Sequence, residues 1–313
     1  MSPRPDGLYH LQPNNALGLG WVAVCCGVTG GALALSSQPS LVLWFAGQLL
    51  LAFALVQWFV ILHEAGHGTL FRSKWLHAPV GHLAGFFAMI PFHSWKLIHG
   101  RHHKWTGYQD LDPTTEALVP RQIKPIERVL VNVCWAGSIP LFSVLYRIGN
   151  FWNAARLNRM LTRHQARTVA INIAALISAY AALAAIAGPL GVLRFAGAAV
   201  LMGLAIQDPL ILSQHTHLPQ RLSQGRPVQP FPALEQEVFT RSLRLPKWIS
   251  AFLLHFDAHE LHHMYPFVPG YYLHRLDYRP RNEVDWLRWL RRAKQLPGVV
   301  FLFQNRHQTG FDL

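Results

Sequence analysis

Two apolar runs, Leu17 to Leu35 and Leu41 to Leu62, are separated only by Ser36-Ser37-Gln38-Pro39-Ser40. Each has about the 20 residues a helix needs to cross a hydrocarbon core. So short a break admits nothing but a helical hairpin. A second pair repeats the pattern: Thr168 to Ala187, the turn Gly188-Pro189-Leu190-Gly191, then Val192 to about Ser213. The expected fold is an all-α membrane protein, one domain over residues 1–313, with four transmembrane helices in two hairpins at about 17–35, 41–62, 168–187 and 192–213. Arg194, near the start of the last span, has a stem long enough to reach the interface.

Charge sets the orientation. The two hairpin turns carry no Lys or Arg, whereas thirteen lie between Arg72 and Arg167. Lysine and arginine stay on the cytoplasmic side, so both termini and this long insert are expected there. The net charge of +13 then follows from this bias and from contact with anionic headgroups. No basic stripe is interleaved with a nucleic-acid-binding motif. Charged residues are only 14% of the chain and hydrophobic ones 51%, yet mean hydropathy is a mild +0.18. The apolar residues are therefore concentrated in segments beside a sizeable aqueous part. Met1 to Gln12 is polar, and no small-residue cleavage site follows the first apolar run, so no cleavable signal peptide is expected. The chain reads as an integral membrane protein, of the inner membrane if bacterial.

Pro79 to Phe92 and Val129 to Tyr146 are apolar but short or interrupted, which suits interfacial or re-entrant segments better than spans. The basic amphipathic runs Arg147 to Arg167 and Asp285 to Leu296 are expected to lie as helices on the membrane surface. Cys25, Cys26 and Cys134 form no disulfide framework and are expected to be buried thiols.

Chemistry is concentrated in histidine. Of 18, His63 and His67 bracket the end of the second span, His99, His102 and His103 form one HxxHH cluster, and His259, His262 and His263 form another. Spacings of three and four put side chains on one helical face. His215 and His217 end the fourth span, and the orientation argument places all four groups on one side of the bilayer. A lone histidine is usually a surface or hydrogen-bonded residue, and His10, His77, His82, His93, His164, His255, His274 and His307 are read that way. Three clusters at helical spacing are not. Neutral imidazole suits Fe, Zn, Cu and Ni. Eight or nine imidazoles are too many for one ion and about right for two with open positions. An open metal at a membrane surface points to activation of O2 or water beside an apolar substrate. Asp110 and Asp112, after the second cluster, either steady a ligand histidine or simply end a helix, the second role being favoured.

These clusters resemble the histidine boxes of the membrane fatty acid desaturase and hydroxylase superfamily. The boxes read His-Glu-Ala-Gly-His-Gly from His63, His-Gly-Arg-His-His from His99 and His-Glu-Leu-His-His from His259. Gln214-His215-Thr216-His217 resembles the extra histidine element of the Δ12 (omega-6) branch, and Tyr265 to Tyr272 the proline and aromatic tail after the third box. The likeness runs from about Trp44 to His274, with Glu64 where aspartate is common. It implies a cytoplasmic helical cap holding a di-iron centre on His63, His67, His99, His102, His103, His259, His262 and His263, with His215 or His217 as ninth ligand, His215 being preferred. It also implies O2 as co-substrate, an acyl lipid, acyl-CoA or acyl-carrier-protein substrate in an apolar tunnel, and a ferredoxin or cytochrome b5 type electron donor.

Hydroxylases and carotenoid or lipid oxygenases share the same boxes, so the boxes alone do not separate them from desaturases; the Gln214-to-His217 element and the Gly107-Tyr108-Gln109-Asp110 run favour an acyl desaturase that introduces a double bond. His63-Glu64-Ala65-Gly66-His67 also reads as the HExxH of a zinc protease, with Glu64 as general base and Asp208 as the further ligand. That reading leaves two clusters unexplained. A metal store or transporter would need polar groups along its spans, which are nearly free of them.

Overall fold

A computed structural model describes Leu8 and residues 10–313 of the protein. The first hairpin is α1 (Asn15–Ser36) and α2 (Leu41–His67). Asn14 starts α1 by accepting the Leu17 N–H at 3.1 Å. The helices are joined inside the hairpin where the Trp58 indole donates to the Thr29 hydroxyl at 2.9 Å. At 27 residues α2 outruns the hydrocarbon thickness, and its last turn carries the first histidine pair beyond the apolar run.

Two helices follow at that end, α3 (His77–Ala88) and α4 (Phe92–Trp105). Next, α5 (Pro125–Ala136) and α6 (Leu141–Trp152) meet at 115° across the Gly137–Pro140 break. The interrupted stretch from Val129 to Tyr146 is thus a bent pair, as its Pro and Gly suggest. A short α7 (Ala154–Met160) leads to the second hairpin, α8 (Arg163–Ala187) and α9 (Pro189–His215). Thr162 and Gln165 start α8 with a reciprocal capping box. All four long helices are apolar enough to cross a membrane and overrun the expected limits by up to five residues at an end. Flanking turns that are polar in sequence simply continue the helix.

The bent pair is tied to α9 by polar groups. Arg147 is 5% exposed and donates to the carbonyls of Ala88 and Ser143 at 3.2 and 3.1 Å and to Gln207 Oε1 at 2.5 Å. Asp208 accepts the Ser143 N–H at 2.6 Å. Every buried charge here has partners, as an apolar surrounding requires.

The remainder is a cap of short elements: strand β1 (Leu243–Arg244) pairing in parallel with β2 (Val284–Asp285), and helices α10 (Lys247–Phe252), α11 (His259–Met264), α12 (Trp286–Ala293) and α13 (Gly298–Phe303).

Two expectations need correction. The run Arg147 to Arg167 is not one surface helix: a π-turn at Ile148–Trp152, α7 and the start of α8 divide it, because Asn153 and Thr162 each cap a new helix. Cys26 is exposed, unlike Cys25 and Cys134. The two adjacent residues point to different sides of α1, and only Cys25 faces α2, 3.7 Å from the Ala54 carbonyl. The run from Asp285 does form a helix, capped by Asp285, and its apolar side is packed, with Trp289 only 1% exposed.

Candidate metal centre

The last turn of α2, the helix α4, the end of α9 and the helix α11 converge with their histidine faces together. Two groups of four result, His63, His67, His99 and His262, and His102, His215, His259 and His263. Within each, one ring nitrogen per residue lies within 4.8 Å of the others. His103 stands between the groups. Its Nε2 is 3.1 Å from His99 Nε2 and 3.0 Å from His262 Nε2, and its ring stacks on His263 at 4.3 Å between centroids. All nine histidines singled out in sequence therefore meet. His217 does not join them: its Nδ1 and Nε2 face the carbonyls of Gln304 and Phe311 at 3.0 and 3.1 Å.

Four rings are held from behind through Nδ1. The acceptors are Glu64 Oε1 for His63 at 3.1 Å, Asp112 Oδ2 for His102 at 2.7 Å, Gln236 Oε1 for His263 at 2.9 Å and the Phe239 carbonyl for His215 at 3.3 Å. An acceptor at Nδ1 keeps the proton there and leaves Nε2 with a bare lone pair. His63 Nε2 and His263 Nε2 are buried with no hydrogen-bond partner among the described residues. Elsewhere in the cage the nitrogens press on one another, His67 Nε2 on His99 Nε2 and His215 Nε2 on His259 Nε2, both at 2.8 Å. Nitrogens packed this closely must either share a proton in an N–H···N hydrogen bond or converge on a cation. The donor set fits a pair of transition-metal ions, one for each group of four.

Electrostatics agrees. Burial first, and the neighbouring imidazoles second, lower His99, His103, His259, His262 and His263 well below the ordinary histidine value. These rings are neutral, the form that coordinates. Burial raises the Asp112 carboxyl, but the His102 ring and the Thr114 N–H outweigh it and hold Asp112 below its ordinary value.

The supports are themselves fixed. Glu64 Oε2 accepts from the Thr69 hydroxyl and the Gly270 N–H, both at 2.8 Å, and Asp112 Oδ1 accepts from the Thr114 N–H and hydroxyl, both at 2.9 Å. Gln236 donates to the His103 carbonyl at 2.7 Å, so one amide spans two boxes. Asp112 thus steadies a ring rather than merely ending a helix, reversing the reading favoured from sequence. Asp110 instead holds the loop at Ser223, 2.8 Å from its N–H and 2.6 Å from its hydroxyl. Trp95 stacks on His99 at 4.3 Å. A Cβ on Gly66 would lie 2.1 Å from the Trp95 ring, so only glycine lets the indole in. Gln236 and Phe239 escaped the sequence reading because nothing local marks them: Gln236 lies 27 residues before its histidine.

The protease alternative fails on this geometry. Glu64 has both oxygens engaged, and Asp208 is bound to Ser143 of the bent pair. A chamber of about 40 Å3 is lined by His63, His99, His102, His215 and His259 together with the apolar side chains of Phe59, Phe142, Tyr146, Ile211 and Phe256 and the polar ones of Thr114, Thr115, Gln214 and Thr216. Phe142 and Tyr146 also line a neighbouring cavity of about 430 Å3, bounded in part by α5 and α6.

Relatives place these features. The chain is 32% identical over 140 residues to an sn-1 oleoyl-lipid 12-desaturase of Picosynechococcus, covering 42% of this chain and 39% of that one. It is 26% identical over 230 residues to the enzyme of the same name from Synechocystis, covering 70% and 63%. With the sn-2 acyl-lipid omega-3 desaturase (ferredoxin) of Helianthus annuus it shares 23% over 261 residues, covering 80% and 58%. The chain thus spans under two thirds of the length of these three relatives. A family model described as fatty acid desaturase matches residues 38–294, most of the chain and all four histidine groups. With four apolar helices and the boxes in place, the chain is a membrane protein belonging to the fatty acid desaturase family.

Proposed function

We propose that this protein introduces a double bond into a fatty acyl chain of a membrane lipid. It does so with O2 and a di-iron centre held by His63, His67, His99, His102, His103, His215, His259, His262 and His263. The observation that carries the reading is the chamber itself, lined by imidazoles of both groups and by the apolar side chains of Phe59, Phe142, Tyr146, Ile211 and Phe256. Apolar side chains beside the imidazoles suit the placing of a C–H bond next to the metals.

Bound iron would supply the reductive activation of O2 needed to break an unactivated C–H bond, chemistry that side chains alone do not provide. The overall balance is that the acyl chain loses two hydrogens while a donor adds two electrons and solvent two protons, so that O2 leaves as two waters. The protein's part is positional. Glu64, Asp112, Gln236 and the Phe239 carbonyl fix the protons of four rings on Nδ1, and Phe142, Tyr146 and Ile211 hold the substrate methylenes against the cage.

The electrons come from a separate carrier, of which the ferredoxin named for the sunflower relative is the nearest indication. That relative and the 12-desaturases are named for acyl lipids, which favours a lipid ester over a soluble thioester as substrate. The lysine and arginine bias supports a cytoplasmic cage and cytoplasmic termini. The test is gas chromatography–mass spectrometry of lipids from an expressing host, with His262→Ala as control and iron measured in both purified proteins. A new alkene only with the wild type, and less iron in the variant, is expected. Unchanged acyl chains despite a full complement of iron would refute the assignment, and a hydroxylated chain would move it to the alcohol-forming branch.

A further inference from the structure

Four cavities share walls in succession, in order of falling polarity. A small polar one, lined in part by Gln109, Gln220, Gln304 and Asn305, meets the chamber at Thr115, Leu118, His215 and Thr216. On its other side the chamber joins the 430 Å3 cavity at Thr114, Leu118, Phe142 and Tyr146. That cavity reaches a second, of about 410 Å3 and almost wholly apolar, at Cys134, Trp135, Ile139 and Asp208. An acyl chain fits this gradient in one sense: its ester end beside the glutamines, its methyl end toward Trp135.

Trp135 is pinned where the two large cavities meet. It is 8% exposed. Its indole N–H donates to the Ala293 carbonyl at 3.4 Å, its ring stacks on Phe301 at 4.4 Å, and the Lys294 ammonium sits 3.9 Å from the ring centroid. The start of α13 closes on it so tightly that a Cβ on Gly298 would lie 2.8 Å from the Trp135 Cβ. Contacts from α12 and α13 thus hold the ring in place, whereas Ile139, which lines both cavities as well, is 50% exposed.

We propose that Trp135 is the stop against which the methyl end of the substrate rests, so that the enzyme counts the position of its double bond from that end. This deepens the desaturase reading and rests on it. A rigid apolar wall discriminates between registers differing by one methylene by about tenfold or more. Removing the wall lets the chain slide toward the second cavity and brings carbons nearer the ester to the cage.

The experiment feeds an expressing host two monounsaturated fatty acids that differ by two methylenes and locates the new double bonds by mass spectrometry. With the wild type both products are expected to carry the bond at the same distance from the methyl end. In Trp135→Ala the bond moves away from the methyl end. Ile206→Trp, which fills the second cavity, leaves the wild-type position unchanged and cancels the shift when combined with Trp135→Ala. Should Trp135→Ala not fold, Ile139→Ala carries the same prediction with a smaller shift. Bonds at a constant distance from the ester end in the wild type would overturn the proposal alone, as would an unmoved bond in a folded partition variant. No alkene at all from iron-loaded wild type would overturn the desaturase reading and this one with it.

Discussion

Replacing Asp112 separates two tasks that its carboxylate performs together. Oδ1 receives the Thr114 N–H and hydroxyl, and Oδ2 receives Nδ1 of His102, all within 2.9 Å and with Asp112 only 2% exposed. In Asp112→Asn the remaining oxygen must stay on the Thr114 N–H, which can face only an acceptor. The new amide NH2 then faces His102 and forces its Nδ1 to accept. The ring's proton moves to Nε2, the atom aimed into the cage, and His102 stops being a ligand. Loss of such a support costs about 10–100-fold in metal affinity, and the reversed tautomer puts asparagine at the upper end. That is about 1.4–2.7 kcal/mol. Asp112→Ala leaves His102 free to keep its proton on Nδ1 but orphans the buried Thr114 N–H, at about 1–3 kcal/mol of fold stability. The two measures should therefore cross. Metal retained per chain after equilibration with a chelator, read by plasma mass spectrometry, falls in the order wild type, alanine, asparagine. The melting temperature of the metal-free protein in detergent falls in the order wild type, asparagine, alanine. The same order in both would refute the tautomer argument.

Other outcomes follow from the same geometry. His215→Ala should lower metal content while His217→Ala leaves it at the wild-type level, because only His215 faces the cage; equal losses would be incompatible with the arrangement. Gly66→Ala should cost about 1–3 kcal/mol by overpacking Trp95 and release metal as well. Part of that loss should return with Trp95→Leu, and a melting temperature unmoved by Gly66→Ala would contradict the contact. The metal-free protein should lose stability as pH falls through 6.5, the ordinary histidine value. Burial keeps the folded rings below it, so the unfolded chain takes up protons first and stability present above that pH is lost beneath it. A thermal melt that is flat from neutral to mildly acidic pH would show that these rings are not buried together.

The hairpins and the boxes were legible because each rests on local repetition: a run of apolar residues as long as a bilayer is thick, or imidazoles three and four apart. Apolar length located α1, α2, α8 and α9 to within five residues at each end, and helical spacing singled out eight histidines that the fold unites with His215 from the end of the fourth span. The supports behind the rings were not legible. Asp112 looked like a turn residue since its partner lies one helix end away, and Gln236 sits in a stretch with no pattern. Register was equally hidden at Cys25 and Cys26, where facing inward or outward depends on how α1 rotates against α2. The division of the basic run after Arg147 depended on two caps, Asn153 and Thr162, whose competition with the amphipathic period only the folded chain decides.

The guanidinium of Arg147 has a consequence for how the protein is made. Its acceptors come from both sides in sequence, the Ala88 carbonyl before it and Gln207 after it. When Arg147 leaves the ribosome, the chain that supplies Gln207 lies 60 residues ahead and does not yet exist. A charged side chain in the apolar core is costly without partners, so α5 and α6 cannot settle into their final depth as they are synthesised. Biogenesis is then expected to be non-sequential, with the bent pair waiting at the membrane surface until α9 enters and both docking together. Removing the acceptor, as in Gln207→Leu, would accordingly show itself in nascent chains that stall and are degraded before assembly, more than in the heat resistance of the molecules that complete it.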